Sequence, residues 1–577
     1  MTKKIVQRDN EGWENLPSTW PNSLRRIMAA RGVTTETDLT YDLADLPKPD
    51  LMLGMDSAVQ LLAQAVTEQW RIMIVADFDT DGATSCAVAI RGLQSMGAKY
   101  LDYIVPNRFI HGYGLTPELL SEIPVNEQPD LLLTVDNGIA SIAGVEAAHQ
   151  RGIKVLVTDH HLPGDELPKA EAIINPNQHG DTFPSKNMAG VGVCFYLLLG
   201  LRQQLRSQGW FETKQIEVPK LNTLLDLVAL GTVADVVPLD KLNRTLVTLG
   251  LARIRAGRAC AGINALIQVS GRDYRQLSAP DMGFSIAPRL NAAGRLEDMS
   301  MGIETLLTND LTEATDAANM LDDINKQRRE VEQDMQQQAL VMLESMSFDE
   351  DAQPLAYCLY DAQWHQGVIG LLASRIKERQ HRPVVAFAPG NEGEVKGSAR
   401  SIPGVHIRDA LALVASKMPA GQLTRFGGHA MAAGLTLAEK DLPVFEQLLL
   451  EVLEQTIKPE VLQQELVSDG ELTADEISIE LAELLPTAAP WGQGFPEPSF
   501  HGIFTVVSIR AVGQQQDHLR LVVDTGASEQ VTAMAFRQQQ PDWLQQGDQV
   551  LLCYRLAVNE FRQQRSVQML VENMLQV

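Results

Sequence analysis

The stretch that decides the fold is "VADFDTDGATS", Val75–Ser85, which places three carboxylates at alternate positions before a glycine. This spacing opens a calcium-binding EF-hand loop, whose twelfth position is a bidentate glutamate. The twelfth position here is Val88, and the preceding "WRIMIVA" is an apolar, β-branched run typical of a strand rather than a helix. A calcium loop is therefore excluded, and the stretch predicts a buried strand that ends in a group of acids.

The segments around this stretch alternate in the same way from residue 71 to about 160. Four short apolar runs, "RIMIVAD", "KYLDYIVP", "DLLLTVD" and "IKVLVTD", are separated by segments of helical spacing that end at glycine. Strands alternating with helices predict an α/β fold with a doubly wound parallel sheet. Ligands bind beyond the carboxyl ends of the strands in such sheets, and the acids lie at those ends.

The rest of the chain predicts three further parts. An uninterrupted helical pattern over 311–346 predicts one long connecting helix, and alternating runs from 354 to about 455 predict a second α/β domain. The Pro/Gly-punctuated "PWGQGFPEPSF" predicts a linker, and five short runs after it predict a small β-barrel, either OB-like or SH3-like. The predicted boundaries are 1–50 for an N-terminal segment, 51–300 for the first domain, 301–350 for the connecting helix, 351–460 for the second domain, and 461–577 for an acidic linker and the barrel.

Composition limits the class of protein. A chain of 577 residues is too long for one core, and five scattered cysteines without C-x-x-C argue against structural zinc and against a disulfide framework. The net charge of −25 argues against a polyanionic partner, but Lys241–Arg295 carries nine basic residues against two acids. No stretch of 18 apolar residues occurs, and the start lacks an apolar signal core, so we expect a cytoplasmic protein that does not enter a membrane.

Candidate ligand residues fall at four places along the chain. They are Asp77, Asp79 and Asp81 after the first run, Asp136 after the third, Asp159, His160 and His161 after the fourth, and Asp235 after the apolar helical pattern "LNTLLDLVAL". Gathered carboxylates repel one another unless a cation holds them, and oxygen ligands with one or two imidazoles suit one or two Mg²⁺ or Mn²⁺ ions. An aspartate after a strand is also a common helix N-cap, and for Asp136 and Asp159 alone this alternative stays open.

The four fragments also carry a family resemblance. "DFDTDG", "VDNG", "TDHH" and "GTVADVVPL" resemble, in order and spacing, the four motifs of the DHH phosphoesterase superfamily. The strings "VPNRFIHGYGL", "NMAGVGV", "APRLNAAGR", "WHQGVIG", "GSARS" and "FGGHAMAAG" are similar to those of its single-strand-specific exonucleases, so the match covers about residues 50 to 460. The resemblance implies a DHH domain, a DHH-associated domain and an OB-like barrel. It implies a 5′→3′ exonuclease of recombination and repair that uses Mg²⁺ or Mn²⁺ to release 5′-mononucleotides from single-stranded DNA.

The resemblance also implies roles for the acids and histidines. The metal ligands would be Asp77, Asp79, Asp81, Asp136, His160 and Asp235, with Asp136 as the bridging carboxylate. Asp81, His160 and Asp235 would complete one site, and Asp79 with Asp77 the other. Many superfamily members have a histidine where this chain has Val75, so either the second ion binds weakly or Asp77 substitutes. Asp159 and His161 would lie beside the metal ligands, and the catalytic set would be Asp81, Asp136, Asp159, His160 and His161, with His161 either an acid/base or a group that polarises the phosphate.

Substrate-binding residues follow from the same resemblance. "KGSARS" offers Ser398 and Arg400 on a small-residue loop, and "RFGGHAMAAG" offers Arg425 and His429 around paired glycines. Further phosphate contacts would be Arg108, Arg289 and Arg295. The alternatives are a tight turn entering a packed helix for the glycine-rich segment and helix capping for the arginines. We expect Arg108, Ser398 and Arg400 to recognise the 5′ end.

Two other functions remain to be weighed. One is a DHH phosphodiesterase acting on short oligonucleotides, cyclic dinucleotides or polyphosphate, although such relatives generally lack a C-terminal barrel. The other is a non-catalytic replication scaffold, although a scaffold should have lost metal ligands and all four motifs are filled here. The favoured exonuclease implies single-stranded DNA, a single-strand binding protein and a helicase as partners, and we expect a monomer.

Overall fold

The computed structural model describes residues 3–108, 110–345, 353–391, 393–419, 422–513, 516–526, 530–561 and 564–577. The chain forms two compact units. The first contains Gln7–Asp323 and Ser468–Val577, and the second contains Ile324–Val467 together with the N-terminal residues up to Val6. Within the described residues, no helix has the length and apolarity needed to cross a membrane.

The parallel sheet that the sequence predicts is confirmed. Strand β1 (Lys4–Gln7) lies outside this sheet. The strands of the sheet are β2 (Ile72–Ala76), β3 (Leu101–Ile104), β4 (Leu131–Val135), β5 (Lys154–Thr158) and β6 (Ala172–Ile174). The sheet has the order β3-β2-β4-β5-β6, and every neighbouring pair is parallel. Because β4 lies between β2 and β5, the carboxyl ends of these three strands meet at one edge. The short β6 lies beyond the last run that the sequence analysis identified.

The same part of the chain contains helices. They are α1 (Asn22–Ala29), α2 (Met55–Thr67), α3 (Thr80–Ser95), α4 (Pro117–Ser121), α5 (Ile142–Gln150), α6 (Gly190–Ser207), α7 (Trp210–Lys214), α8 (Leu225–Ala234), α9 (Lys241–Arg255), α10 (Ala261–Val269), α11 (Ala279–Asp281), α12 (Ala287–Leu296) and α13 (Ser300–Leu307). Of these, α2, α3, α5 and α6 pack against the sheet. Helices α3, α6 and α8 pack against one another, and α8 is apolar on all sides because it is buried in the core. This packing brings the end of α8 to the edge of the sheet that carries the acids.

The long helix and the second α/β domain are also confirmed. Helix α14 spans Leu311–Ser345, and the last predicted residue, 346, lies outside the described residues. The following elements are β7 (Tyr357–Tyr360), α15 (Ile369–Gln380), β8 (Val384–Pro389), β9 (Glu394–Arg400), α16 (Ile407–Lys417), β10 (Leu423–Gly428), β11 (Ala432–Ala438), α17 (Leu442–Thr456) and β12 (Glu465–Ser468). The sheet order is β10-β11-β9-β8-β7, with only β7 and β8 parallel, and β12 pairs with β1.

The structure corrects the expected loop at one glycine-containing segment and excludes the alternative of a turn entering a helix at another. "KGSARS", which we expected to be a loop, continues through β9, and "RFGGHAMAAG" supplies β10 and β11 rather than a turn entering a helix. The small residues are explained by close packing within this sheet. A Cβ on Gly397 would come within 2.6 Å of the Phe387 ring and 2.7 Å of Leu435, so the strand accepts only glycine there.

The C-terminal part of the chain forms the predicted barrel. Helix α18 (Ile479–Ala488) precedes β13 (Phe500–Val512), β14 (His518–Asp524), β15 (Val531–Ala535), β16 (Gln549–Phe561) and β17 (Gln564–Gln576), which close in the order β13-β14-β15-β17-β16. The segment that we predicted as a linker is packed instead. Trp491 and Phe495 stack with centroids 5.5 Å apart in the core, with Arg31 over Trp491 and Arg244 over Phe495. Burial of the two aromatic side chains therefore fixes this segment in the core, although its prolines and glycines are typical of a linker.

Candidate active site

The first acids follow β2 in a tight turn into α3. The Asp79 carboxylate accepts a hydrogen bond from Gly82 N at 3.1 Å and so caps the helix. Residue 82 must be glycine, because a Cβ there would lie 2.4 Å from the carbonyl oxygen of Asp77. Asp81 lies in the first turn of α3, where Gly190 N and Val191 N at the start of α6 donate to its carboxylate at 2.6 and 3.0 Å. The sequence thus folds three alternate acids around one helix start.

Asp136 follows β4 in the left-handed region, with φ of 63°. Asn137, which the sequence analysis did not single out, holds this turn, because its side-chain amide donates to the carbonyls of Val75 and Val135 at 2.9 Å each. Helix α6 approaches the Asp136 carboxylate so closely that a Cβ on Gly190 would lie 2.5 Å from its Oδ1. The backbone and the glycine together aim this carboxylate into the site.

Three buried atoms from different elements converge. His160 Nε2 lies 3.2 Å from Asp136 Oδ1 and 3.4 Å from Asp235 Oδ2, which comes from the end of α8. None of these three atoms has a hydrogen-bond partner among the described residues. Burial, and then the neighbouring charge of His161, lower the pKa of His160, so the imidazole is neutral and presents a lone pair. Unpaired buried acceptors that face one another need a cation between them.

The other predicted ligands lie around this point. The possible metal ligands form three groups of residues, and within each group the ligand atoms lie within 4.8 Å of one another. The groups are Asp81, His160 and Asp235; Asp77, Asp79 and Asp136; and Asp136, His160 and His161. Asp136 belongs to two of them and His160 to two. All six residues that the resemblance implies as metal ligands are therefore brought together, and their oxygen and imidazole donors suit Mg²⁺ or Mn²⁺.

The electrostatics of these acids fits a cation. Burial and then the charge of Asp235 raise the pKa of Asp81 to about 7, and burial and then Asp79 raise the pKa of Asp235 to about 8. The pKa values of Asp77 and Asp136 are also well above the ordinary range, chiefly through burial and then through neighbouring carboxylates. Without a cation the ionised form of these acids is disfavoured, which is the behaviour of a ligand set that lacks its counter-charge.

Asp159 and His161, after β5, are arranged differently. Asp159 accepts hydrogen bonds from the backbone N–H groups of Ile139, His160 and His161, and its Oδ1 lies 2.7 Å from His161 Nδ1. Burial alone would raise the pKa of Asp159, but these bonds and the histidine charges lower it overall. Burial alone would lower the pKa of His161, but the hydrogen bond and the negative charge of Asp159 have the larger effect and raise this pKa to about 9. The N-cap alternative does not apply to Asp136, because the N-cap of α5 is Ser141, nor to Asp159, because the next helix along the chain, α6, has Ala189 as its N-cap.

Arg108 and Tyr113 lie at the same edge of the sheet. The guanidinium of Arg108 stacks 4.1 Å from the Phe78 ring, and although burial lowers its pKa, the charges of Asp77 and Asp79 act in the opposite direction. The Tyr113 hydroxyl donates to the carbonyl of Asp136 at 3.2 Å and lies 3.1 Å from His161 Nδ1. Sequence reasoning identified Arg108 but missed Tyr113, although the flanking Gly112 and Gly114 marked a constrained turn.

The basic stretch does not form one free basic face. Arg289, a predicted phosphate contact, is buried and its Nη2 lies 2.8 Å from Asp322, while Arg253 pairs with Asp226. Arg295 lies half-buried in the last turn of α12. The clustering of arginines in the sequence therefore partly reflects ion pairs inside the first unit.

The second unit carries the remaining candidates. Arg400 Nη1 donates to Ser398 Oγ at 3.0 Å, and burial lowers the Arg400 pKa. Gly370 makes room for this pair, because a Cβ there would lie 2.8 Å from Arg400 Nη2. His429 lies exposed at the turn between β10 and β11, and Arg425 is in β10 with its side chain outside the described residues. The structure places Ser398 and Arg400 together, and Ala432, which pairs with Arg400 across the sheet, accepts a hydrogen bond from the backbone N–H of His429.

Comparison with protein families assigns all three folded parts. Residues 71–232 match the DHH family N-terminal domain, residues 352–458 match the DHHA1 domain, and residues 468–573 match the RecJ OB domain. The match identifies the C-terminal barrel as an OB-fold and decides against the SH3-like alternative.

Relatives match over almost the whole chain. The single-stranded-DNA-specific exonuclease RecJ of Escherichia coli is 49% identical over 99% of this chain and 98% of its own, and that of Dickeya dadantii is 50% identical over 97% of each. Crystal structures of Thermus thermophilus RecJ in complex with Mn²⁺ and with Mg²⁺ superpose with TM-scores of 0.81 and 0.75 at 28% and 27% identity, covering 100% of this chain and 79% and 78% of theirs. With this extent of identity, the chain belongs to the RecJ family of DHH-domain proteins.

Proposed function

We propose that this protein is a metal-dependent exonuclease that degrades single-stranded DNA from the 5′ end and releases 5′-mononucleotides. The observation that carries the proposal is the convergence of Asp136 Oδ1, His160 Nε2 and Asp235 Oδ2, three buried atoms without a hydrogen-bond partner in the described part of the chain. Its relatives are named as single-stranded-DNA-specific exonucleases, and structures of one of them contain Mn²⁺ or Mg²⁺.

The residues fit one or two divalent cations. Asp81, His160 and Asp235 would hold one ion, Asp77 and Asp79 the other, and Asp136 would bridge them, as their grouping within 4.8 Å supports. Bound Mg²⁺ or Mn²⁺ supplies charge stabilisation at the phosphate and lowers the pKa of a coordinated water. The protein's contribution is the fixed placement of the carboxylates, which the N–H groups of Gly190 and Val191 secure for Asp81.

Other groups act on the phosphate itself. Asp159 holds His161 in orientation and keeps it protonated near neutral pH, so the imidazolium can bind a phosphate oxygen or give a proton to the leaving oxygen. Arg108, restrained over Phe78, supplies a second positive charge at the same edge of the sheet. These groups would stabilise the negative charge that develops when the P–O bond breaks.

The 5′→3′ polarity requires recognition of the strand end. We assign it to Arg108 and to Ser398 with Arg400, whose mutual hydrogen bond presents a hydroxyl and a guanidinium side by side. Arg289, Arg295, Arg425 and His429 are further proposed phosphate contacts, with Arg289 requiring release from Asp322 to take that role. The OB domain would bind the strand beyond the scissile bond, as such barrels bind oligonucleotides.

The cellular setting follows from the substrate. A single-strand exonuclease acts on DNA that has been unwound, so a helicase and a single-strand binding protein are its proposed partners in recombination and repair. The proposal places a monomer in the cytoplasm, where chromosomal DNA of a bacterial cell lies.

The test is cleavage of one oligonucleotide labelled at either end. We expect immediate release of a labelled mononucleotide from the 5′ label and stepwise shortening from the 3′ label, in Mg²⁺ or Mn²⁺ but not in EDTA, with a blunt duplex left uncut. Release from the 3′ end first would contradict the polarity. Cleavage in EDTA would contradict the role of the metal.

A further inference from the structure

The loop between β3 and α4 brings Tyr113 to the site. Asn107 N donates to His111 Nδ1 at 3.0 Å, and His111 Nε2 lies 2.8 Å from Glu122, so His111 closes the loop from within. Gly112 and Gly114, on either side of Tyr113, have φ of 76° and 71°, a conformation that favours glycine. The loop is therefore shaped by local constraints that fix where Tyr113 projects.

The ring of Tyr113 lies between two aromatic groups. It contacts Phe78 edge-to-face with centroids 6.0 Å apart, and His161 edge-to-face at 5.6 Å. Phe78 in turn lies under the Arg108 guanidinium. Edge-to-face contacts of this kind are favourable and directional, so the ring restrains its neighbours on both sides.

The hydroxyl of Tyr113 makes the more specific contacts. It donates to the carbonyl oxygen of Asp136 at 3.2 Å, and its oxygen lies 3.1 Å from Nδ1 and 3.4 Å from Nε2 of His161. One hydroxyl can donate one hydrogen bond and accept another at the same time. Asp136 is also the residue whose backbone is in the left-handed region, so this bond supports a turn that most residues avoid.

We infer that Tyr113 is a positioning residue that acts through His161. Its hydroxyl joins the turn of Asp136 to the His161 ring, and so holds the imidazole in a fixed orientation relative to the carboxylate proposed to bridge the metal ions. Asp159 contacts Nδ1 of the imidazole at 2.7 Å. Tyr113 adds further contacts to the same ring, because its hydroxyl lies 3.1 Å from Nδ1 and 3.4 Å from Nε2 and its own ring packs edge-to-face against the imidazole. The inference rests on the proposed nuclease function.

The first test is Tyr113→Phe, which keeps both ring contacts and removes only the hydroxyl. We expect kcat for single-stranded DNA to fall about tenfold to a hundredfold, as for loss of one hydrogen bond to a charged group, with KM little changed. The rise in Tm caused by Mn²⁺ should be retained, because the metal ligands are untouched. Tyr100→Phe is the matched control, since Tyr100 is an exposed tyrosine of the same unit and should leave kcat unchanged.

The decisive test combines Tyr113→Phe with His161→Ala. If Tyr113 acts through His161, then Tyr113→Phe lowers kcat in the wild type but has no further effect once His161 is absent. Additive losses would overturn the inference, as would a Tyr113→Phe variant that cuts at the wild-type rate or loses the Mn²⁺-induced rise in Tm. A wild-type protein that cuts no single-stranded DNA would instead overturn the proposed function, so the two failures are distinguishable.

Discussion

Two groups of side chains share the carboxyl edge of the parallel sheet, and their buried polar atoms are satisfied to opposite degrees. In the first, the open cluster of Asp136, His160 and Asp235, three buried atoms face one another without a hydrogen-bond partner in the described residues. In the second, the closed pair of Asp159 and His161, the carboxylate accepts three backbone N–H groups and contacts its own histidine. The pKa values move accordingly, upward for Asp136 and Asp235 and downward for Asp159.

The difference shows that position after a strand does not decide what an aspartate does. Asp136 and Asp159 follow neighbouring strands of one sheet and are both buried. Backbone donors stabilise the ionised form of Asp159, whereas Asp136 is surrounded by other acids, so only a cation can stabilise its charge. The open cluster is therefore suited to bind metal, and the closed pair to hold a protonated histidine without it.

The largest effect is expected from Asp136→Asn. Loss of the proposed bridging carboxylate should reduce cleavage on the order of 10³-fold or more, because several kcal/mol of metal-dependent stabilisation disappear. The metal-free variant should be at least as stable as the wild type, because the amide removes an acid whose ionisation burial and neighbouring carboxylates disfavour. Cleavage rates and Tm with and without Mn²⁺ measure both effects.

The matched control is Asp165→Asn, an exposed acid on the loop after His161, which should change neither quantity. An Asp136→Asn variant that cuts within tenfold of the wild type would contradict the open cluster as the metal site.

Asp77→Asn should have the next largest effect. The Asp77 carboxylate accepts a bond from Phe78 N, so it is partly satisfied and intermediate between the two groups. We expect a 10- to 100-fold loss in metal affinity or activity, recovered in part at high Mn²⁺. A titration of the cleavage rate with Mn²⁺ measures this, and an unchanged Mn²⁺ requirement would show that Asp77 holds no ion.

Asp159→Asn should affect stability in the direction opposite to Asp136→Asn. An amide cannot accept from all the donors that face the carboxylate, and a buried donor left unpaired costs about 1–3 kcal/mol. We expect the free energy of unfolding to fall by about this amount in urea at pH 7 with EDTA. A variant as stable as the wild type would mean that the closed pair is not held by those bonds.

The last expected effect is a dependence of the free energy of unfolding on pH in the metal-free protein. The folded-state pKa values of Asp81 and Asp235, about 7 and 8, lie above those of an unfolded chain, so the fold retains protons that the unfolded chain loses. Stability should therefore fall as pH rises from 5 to 8, by about 1.4 kcal/mol per pH unit for each retained proton. The pKa of His161 is raised to about 9, so this histidine adds to the fall in stability above pH 6.5. The pKa of Asp159 is lowered, so its carboxyl is already ionised over this pH range and adds nothing to the fall.

Unfolding in EDTA and in Mn²⁺ between pH 5 and 6.5 separates the acids from His161, while the lowered pKa of His160 gives a smaller slope of opposite sign in this range. Mn²⁺ should abolish or reverse the slope, because it binds the deprotonated carboxylates. An equal dependence of stability on pH with and without Mn²⁺ would mean that these carboxylates do not coordinate the ion.

Much of the fold could be predicted from the sequence, because the patterns that indicate strands and helices involve residues close together in the chain. The apolar runs before Asp77, Asp136 and Asp159 predicted the parallel strands, and the unbroken pattern over 311–346 predicted α14. Strand β9 was misread as a loop because its small residues serve packing against Phe387 and Leu435, which are distant in sequence. The expected linker was misread because Trp491 and Phe495 pack in the core, which composition alone does not show.

For the candidate site, the sequence predicted which residue types could bind a metal but not how they are arranged. Asp235 lies far along the chain at the end of a helix, and only the family resemblance joined it to His160. The groups that orient the ligands were missed, among them Asn137, Tyr113 and the N–H groups of Gly190 and Val191. These residues lie within the motifs that carry the resemblance, but no local pattern shows which ligand each of them orients, because the contacts join distant elements.

The most direct test of the open cluster is an anomalous difference map from a crystal of this protein soaked in Mn²⁺. We expect a peak within bonding distance of Asp136, His160 and Asp235, and a second beside Asp77 and Asp79 if both ions bind. No peak should lie against Asp159. An ion bound elsewhere, with the three atoms of the open cluster left empty, would contradict the account.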